Sequence, residues 1–350
     1  MYSYDAVPYA SDAFRQTHPD TLATMATLFG LRPAPTENCR VLELGCAAGG
    51  NIIPMAYAQR DCQFLGVDLS AGQIDEGKQT IRKLGLKNIE LRQADIRQLD
   101  GQVGKFDYII THGVYSWVPD DARTAIIRLY RHHLAPMGIG YISFNANPGW
   151  RMYGMIRQMM LYFSRNAKTP RDRIQRSRDL LTFLEESVPT DQAYSRLLGQ
   201  ALAGLSDQTD SYLFHEYLED QNDPCYFRDF AYGAAAEGLA YLGESCLSSM
   251  LDRNFGPEIQ KFLRARSSNI FELEQHMDFL RNRTFRQTLL CHAEVKLNRN
   301  LDTFDPTPYW IRSSARCLPQ EPDLHSEAPM DFHLGEDLAI TLTDPLAKAL

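Results

Sequence analysis

The sequence predicts an open α/β sheet, mostly parallel, with helices on both faces. Three observations carry that expectation. Val41–Asn51, VLELGCAAGGN, is a short apolar strand running into a glycine-bearing turn, with a helix starting at its end. Phe64–Asp68 is a second apolar strand, and it ends in a carboxylate about nineteen residues past Gly49. Strands and helices then alternate up to residue 150. Strands are expected at 40–44, 63–67, 89–92, 106–111 and 139–145, helices at 50–59, 71–84 and 121–134, and a short turn near 96–101. The strands are apolar runs rather than clean alternations, as when both faces of a parallel sheet are covered. Such alternation implies right-handed crossovers, with ligands at the carboxyl ends of the strands.

Ahead of this core, Thr17 is expected to cap a helix from Pro19, with Leu22, Met25, Leu28 and Phe29 at helical spacing and Gly30 as its stop. After residue 150 the period turns helical. Met152 to Phe163, Leu180 to Leu184 and Tyr194 to Leu202 read as three helices, their apolar faces serving as core. A helix at Phe227–Gly238, a strand at Leu239–Gly243 and another at Thr284–Ala293 would finish the far edge of the sheet. The expected organisation is therefore a cap segment and helix at 1–35, a nucleotide-binding core at 36–150 and a helical insertion at 151–215. A region at 216–299 completes the sheet, with its own helical insertion near 250–282. The extension at 300–350 reads as the start of a further domain, with strands at Tyr309–Cys317 and Leu338–Leu342.

Composition narrows the function classes. With 350 residues, 44% hydrophobic and 23% charged, the chain can bury a sizeable core without staples. A formal charge of -8 argues against a broad grip on nucleic acid. The basic run from Arg151 to Arg178 reads as a solvated helix face before an acidic-partner patch. Seven cysteines without a C-x-x-C pair give no zinc spacing and favour a reducing compartment. The N-terminus lacks the pattern of a signal peptide, and no stretch approaches the roughly 18 apolar residues of a membrane span. A cytoplasmic protein without membrane insertion is expected.

The turn itself is E-x-G-x-x-x-G, with Glu43, Gly45 and Gly49. It lacks the G-x-G-x-x-G spacing that brings backbone against a pyrophosphate, and it has no Gly-Lys-Ser/Thr of a phosphate loop. Gly45 allows a sharp turn and close approach of a ligand. Glu43 can accept from an amino group, Asp68 from the two hydroxyls of a ribose, and Asp95 from an adenine amine. Taken singly, Glu43 could cap a turn and Asp95 a helix. Taken in order, the three acids fit an adenosine with a short zwitterionic tail, namely S-adenosylmethionine, with S-adenosylhomocysteine as product.

These residues lie in longer motifs. ELGCAAGGNIIPMA, GVDLSAGQI and FDYIITHGVYSWVP resemble class I methyltransferases that carry a methyltransferase regulatory region. HEYLEDQNDPCYFRDF and DFLRNRTFRQTLLCH resemble that region itself, and YDAVPYASDAFRQTHP and ISFNANPGW match as well. The resemblance runs to about residue 300, and the rickettsial protein lysine methyltransferases are similar in outline. It implies a Rossmann-like fold with Glu43, Gly45 and Gly49 around the methionine moiety, Asp68 on the ribose, and Asp95 and Ile96 beside the adenine. The implied cofactor contacts extend to Cys46, Ala47, Asn51, Leu69, Ser70 and Gln73, and His112 and Gly113 fall where the family closes over the sulfonium. Two departures stand out. Ala47 replaces a middle glycine, which a turn tolerates if φ stays negative, and Phe144 replaces an expected tyrosine, removing one hydrogen bond near the active site.

Methyl transfer is an in-line displacement that needs alignment and exclusion of water, and no metal. The candidate proton acceptors are His112 and Tyr115, followed by His18; Tyr9 is a further catalytic candidate, and Asn145 could orient an acceptor amine. Against each stands a packing role, the commoner fate of a single histidine after a strand. Trp117, Trp150 and His18 are expected along a substrate channel, where aromatic faces would stabilise cationic groups. His132 and His133 read as structural groups at a helix end. The acceptor implied by the resemblance is a protein or peptide lysine. A small-molecule methyltransferase and a non-catalytic cofactor-binding regulator are the alternatives, and a homodimer is left open.

Overall fold

A computed structural model describes residues 11–99, 103–188, 192–203, 205, 207–301, 314–317, 323–334, 338–345 and 348. The chain divides after Arg299 into two compact units.

In the first unit, helix α1 (Pro19–Leu28) precedes strand β1 (Arg40–Leu44), helix α2 (Ile52–Ala58), β2 (Gln63–Asp68) and α3 (Ala71–Leu84). Strand β3 (Ile89–Gln93), a 3-10 turn at Ile96–Gln98, β4 (Phe106–Thr111), a second 3-10 turn at Tyr115–Trp117, α4 (Asp120–His133) and β5 (Leu134–Asn145) follow. Apolar side chains at helical spacing put one face of each helix on the sheet. In α4 these are Ala122, Ile126, Ile127, Leu129 and Tyr130, which join Leu42, Leu44, Ile109 and Ile142 in one core. The seven strands lie in the order β3-β2-β1-β4-β5-β7-β6, so the expected open α/β sheet is present. All pairs up to β4–β5 are parallel; β7 (Phe285–His292) runs antiparallel to β5 and to β6 (Leu239–Glu244). Connections leave β1 and β4 in opposite directions, which opens a crevice at their carboxyl ends, where such sheets bind ligands.

Two local expectations are corrected. Strand β5 begins at Leu134, directly after α4, and not at 139: Leu134 pairs with Phe106, and the register shifts before Tyr108 pairs with Ile139. That irregularity accommodates Pro136, which has no N–H to give a ladder. The cap of α1 is His18, whose Nδ1 accepts from Asp20 N at 3.2 Å, and not Thr17. Thr17 is pulled away because its hydroxyl donates to the Phe14 carbonyl and meets Asn51.

Beyond β5 come α5 (Trp150–Ser164), α6 (Pro170–Ser187) and α7 (Ala193–Leu202), which share an apolar core of their own. A short helix α8 (Asp210–Leu213) then widens into a π-helical turn at Phe214–Leu218, which the periodicity did not predict. Helices α9 (Phe227–Ala236), α10 (Pro257–Arg266) and α11 (Ile270–Arg281) flank β6 and β7. In the second unit, β8 (Arg316–Cys317), β9 (Met330–Leu334) and β10 (Leu338–Leu342) form an antiparallel sheet in the order β10-β9-β8. Tyr309, Ile311 and Ser313 lie outside the described residues.

Candidate active site

The turn after β1 folds back over the end of β2: Gly45 N and Cys46 N both donate to the Val67 carbonyl, at 2.8 and 3.1 Å. Gly45 takes φ +73, and a Cβ there would lie 2.3 Å from Cγ2 of Val114, on the loop after β4. Only glycine lets the two loops meet at the switch point. Ala47 adopts φ +50, so the expectation of a negative φ is wrong. Its N–H donates to Asp68 Oδ2 at 2.9 Å, and that bond holds the left-handed residue in place.

The acids occupy three different environments. Asp68 at the end of β2 also accepts from Ser70 N through Oδ1, which ties the turn to the start of α3. Ser70 and Gln73 are buried there, with Ser70 Oγ capping Gln73 N, while Leu69 beside them presents an exposed apolar side chain. Asp95 grips Arg97 through both oxygens, Arg97 reaches Asp121, and the arginine holds the Asp95 carboxyl below its ordinary range. Asp95 thus caps the turn that begins at Ile96. Glu43 is only 3% exposed; its Oε1 accepts from Asn51 Nδ2 at 2.7 Å and its Oε2 has no hydrogen-bond partner among the described residues. Burial, partly offset by the Asn51 bond and reinforced by Asp68, pushes its pKa up to about 8.

Asn51 links this acid to the N-terminal segment: its Oδ1 accepts from Phe14 N at 2.9 Å, and Ser11 Oγ accepts from Gly50 N at 2.7 Å. Residues 11–17 therefore cross the glycine turn, and the Phe14 ring lies 4.0 Å from the His112 ring.

The catalytic candidates fall on two faces of the sheet. Tyr141, Ser143 and Asn145 alternate onto one face of β5. His112 joins that face through Tyr141 Oη, 2.9 Å from Nδ1, and Ser143 Oγ, which also accepts from Gly113 N. Phe285, opposite Asn145 on β7, meets the His112 ring edge-on. Burial lowers the His112 pKa to about 4, so its imidazole is neutral at physiological pH. Tyr115 lies with Phe144 and Phe230 on the other face, where burial raises its phenol well above the ordinary range. Phe144 is buried 4.4 Å from Phe230, so a phenol at 144 would point into the core and the expected loss of an active-site hydrogen bond does not arise.

Asn145 is 3% exposed, its Nδ2 is buried without a hydrogen-bond partner among the described residues, and its backbone N donates to Ser116 Oγ. Trp117 is half-buried beside that serine, and Trp150 opens α5 with its ring 5.4 Å from Tyr153. His18 is occupied as a helix cap, and Tyr9 lies outside the described residues. His133 is buried with Nδ1 2.8 Å from the Gly104 carbonyl. Sequence reasoning missed Asn222, in the loop after the π-turn, both of whose amide atoms are buried without a hydrogen-bond partner among the described residues. Its only sequence signal is the polar run Glu219–Asp223 inside an otherwise aromatic segment.

The switch-point crevice, the left-handed glycine turn and the acids ending β1 and β2 define a class I nucleotide-type site. Residues 41–138 match the family model described as "Methyltransferase domain", and residues 209–292 match "Predicted methyltransferase regulatory domain". The Rickettsia prowazekii protein RP789 is 42% identical over 99% of this chain, which spans 64% of that relative's length. RP028 of the same organism is 42% identical over 65% of this chain and 92% of its own length. PKMT2 from Rickettsia typhi, solved in complex with AdoHcy, is 37% identical with a TM-score of 0.87, covering 98% of this chain and 67% of that one. The chain belongs to the class I S-adenosylmethionine-dependent methyltransferases that carry a methyltransferase regulatory domain.

Proposed function

We propose that this protein transfers a methyl group from S-adenosylmethionine to lysine side chains of a protein substrate. The observation that carries the cofactor assignment is the buried, half-satisfied carboxyl of Glu43 beside a left-handed turn tied to Asp68. A buried acid with one orphaned oxygen suits an ammonium group. Leu69 offers an apolar face beside the ribose acid. Asp95, already paired with Arg97, is the weakest member of the set and would meet an adenine amine only by sharing its oxygens. The lysine assignment rests on the likeness to PKMT2.

S-adenosylmethionine supplies an activated methyl on a positive sulfur. Glu43 and Asp68 bind and orient its two ends. Phe14, His112 and Phe285 keep water from the transfer side, and Asn145 positions the acceptor. Neutral His112, with a pKa of about 4, is too weak to take a proton from an ammonium near 10. The acceptor therefore enters as the free amine, which a dry aromatic site favours.

The Glu43 environment gives a pH test. Below about 8 the free protein keeps its proton on Glu43, whereas an ammonium at Oε2 favours the carboxylate, so binding releases a proton. Between pH 6 and 7.5 the affinity for S-adenosylhomocysteine is expected to rise by roughly tenfold per unit at most. Calorimetry in two buffers of different ionisation enthalpy reads the proton release. A flat profile, or one unchanged in Glu43→Gln, would remove Glu43 from the site.

A further inference from the structure

The geometry points to a polypeptide main-chain receptor built from Asn222 and Asn145, so that the regulatory region itself reads the substrate's backbone beside the acceptor lysine. This rests on the protein-lysine reading above and deepens it. The loop carrying Asn222 is bound to the active-site edge. Asp223 N donates to the Ser116 carbonyl at 2.8 Å and Cys225 N to the Asn145 carbonyl at 3.1 Å. Asn147 N returns to the Cys225 carbonyl at 3.0 Å, which lays residues 223–225 alongside the end of β5.

Two arginines clamp the loop on either side of Asn222. Arg157 on α5 donates to the carbonyls of Glu219 and Asp220, and Arg123 on α4 donates to the Asp223 carbonyl at 2.9 Å. The backbone on both sides of Asn222 is therefore fixed, yet neither its Oδ1 nor its Nδ2 has a partner among the described residues. Whichever way the amide is turned, it asks for one donor and one acceptor together. An ammonium cannot supply this, because it has no acceptor, and the single nitrogen of a free amine cannot align with both amide atoms at once. One residue of an extended chain can, because its N–H and C=O point to the same side and meet the carboxamide together. The nearby orphaned Nδ2 of Asn145 asks for a further acceptor.

A peptide group can serve only if it is not already paired within its own fold. The substrate class is therefore a lysine in an extended or unfolded stretch, read through its backbone and not through neighbouring side chains.

The test uses the whole chain with a randomised lysine-centred nonapeptide library, and the same library N-methylated on the backbone at the residues flanking lysine. Wild type is expected to methylate the first library at least tenfold faster than the second. Asn222→Ala, and Asn222→Asp, which keeps the shape and loses the donor, should raise KM for the first library at least tenfold. Both variants should keep the wild-type affinity for S-adenosylhomocysteine, which also reports that they are folded. Equal transfer to both libraries, or an unchanged KM in Asn222→Ala, would overturn the backbone receptor while leaving the lysine reading intact. No transfer to either library by cofactor-binding wild type would overturn both.

Discussion

Asp68→Ala is expected to weaken S-adenosylhomocysteine binding by at least about 100-fold. Two hydrogen bonds from ribose hydroxyls to an ionised carboxylate are worth about 1.5–3 kcal/mol each, and 1.4 kcal/mol is a factor of ten. The same carboxylate also holds Ala47 N and Ser70 N, both at 2.9 Å. Removing it frees Ala47 from φ +50, a conformation that costs an L-residue about 1–2 kcal/mol. The turn would then relax away from its binding shape. Asp68→Asn keeps one acceptor and should lose less. Calorimetric affinity within threefold of wild type in Asp68→Ala would overturn the ribose assignment.

Arg286→Met is expected to destabilise the first unit by about 3–5 kcal/mol, the usual cost of leaving buried charges without their counter-ion. Arg286 is fully buried on β7 and pairs at 2.7–3.0 Å with Glu244 from β6 and Glu274 and Asp278 from α11. Its guanidinium also lies 3.8 Å from the Phe227 ring. Three carboxylates around this arginine leave excess negative charge, even with Arg283 touching Asp278. Burial, opposed by Arg286, raises the Glu274 pKa to about 7. For an acid raised in the folded state, the stabilisation is complete below the unfolded value near 4.5 and is lost as pH rises through 7. The variant should therefore lose more stability at pH 8 than at pH 5.5, where protons can replace the missing arginine. Urea unfolding midpoints at the two pH values measure this. A loss under about 1 kcal/mol at pH 8 would show that the network does not hold α11 to the sheet.

The parallel core was legible because its strands are apolar runs punctuated by Gly45, Gly49 and Gly85, and such runs report burial directly. The start of β5 was hidden: Pro136 and Gly138 look like a break, and only pairing of Leu134 with Phe106 makes the earlier residues a strand. That Glu43, Asp68 and Asn145 lie at or next to the ends of strands could be read from the apolar runs. The face each catalytic candidate occupies could not, because the 3-10 turn at Tyr115–Trp117 sends Tyr115 away from His112. Arg286 and Asn222 were missed for one reason. Their meaning lies in partners brought from other segments, or in the lack of them, and neither leaves a local pattern.

Transfer is tested most directly by incubating the protein with S-adenosylmethionine labelled in its methyl group and a lysate of the native host, then mapping label by mass spectrometry. Labelled lysine side chains on protein, lost in Asp68→Ala, are the expected result. Label confined to small molecules would contradict a protein lysine as the acceptor.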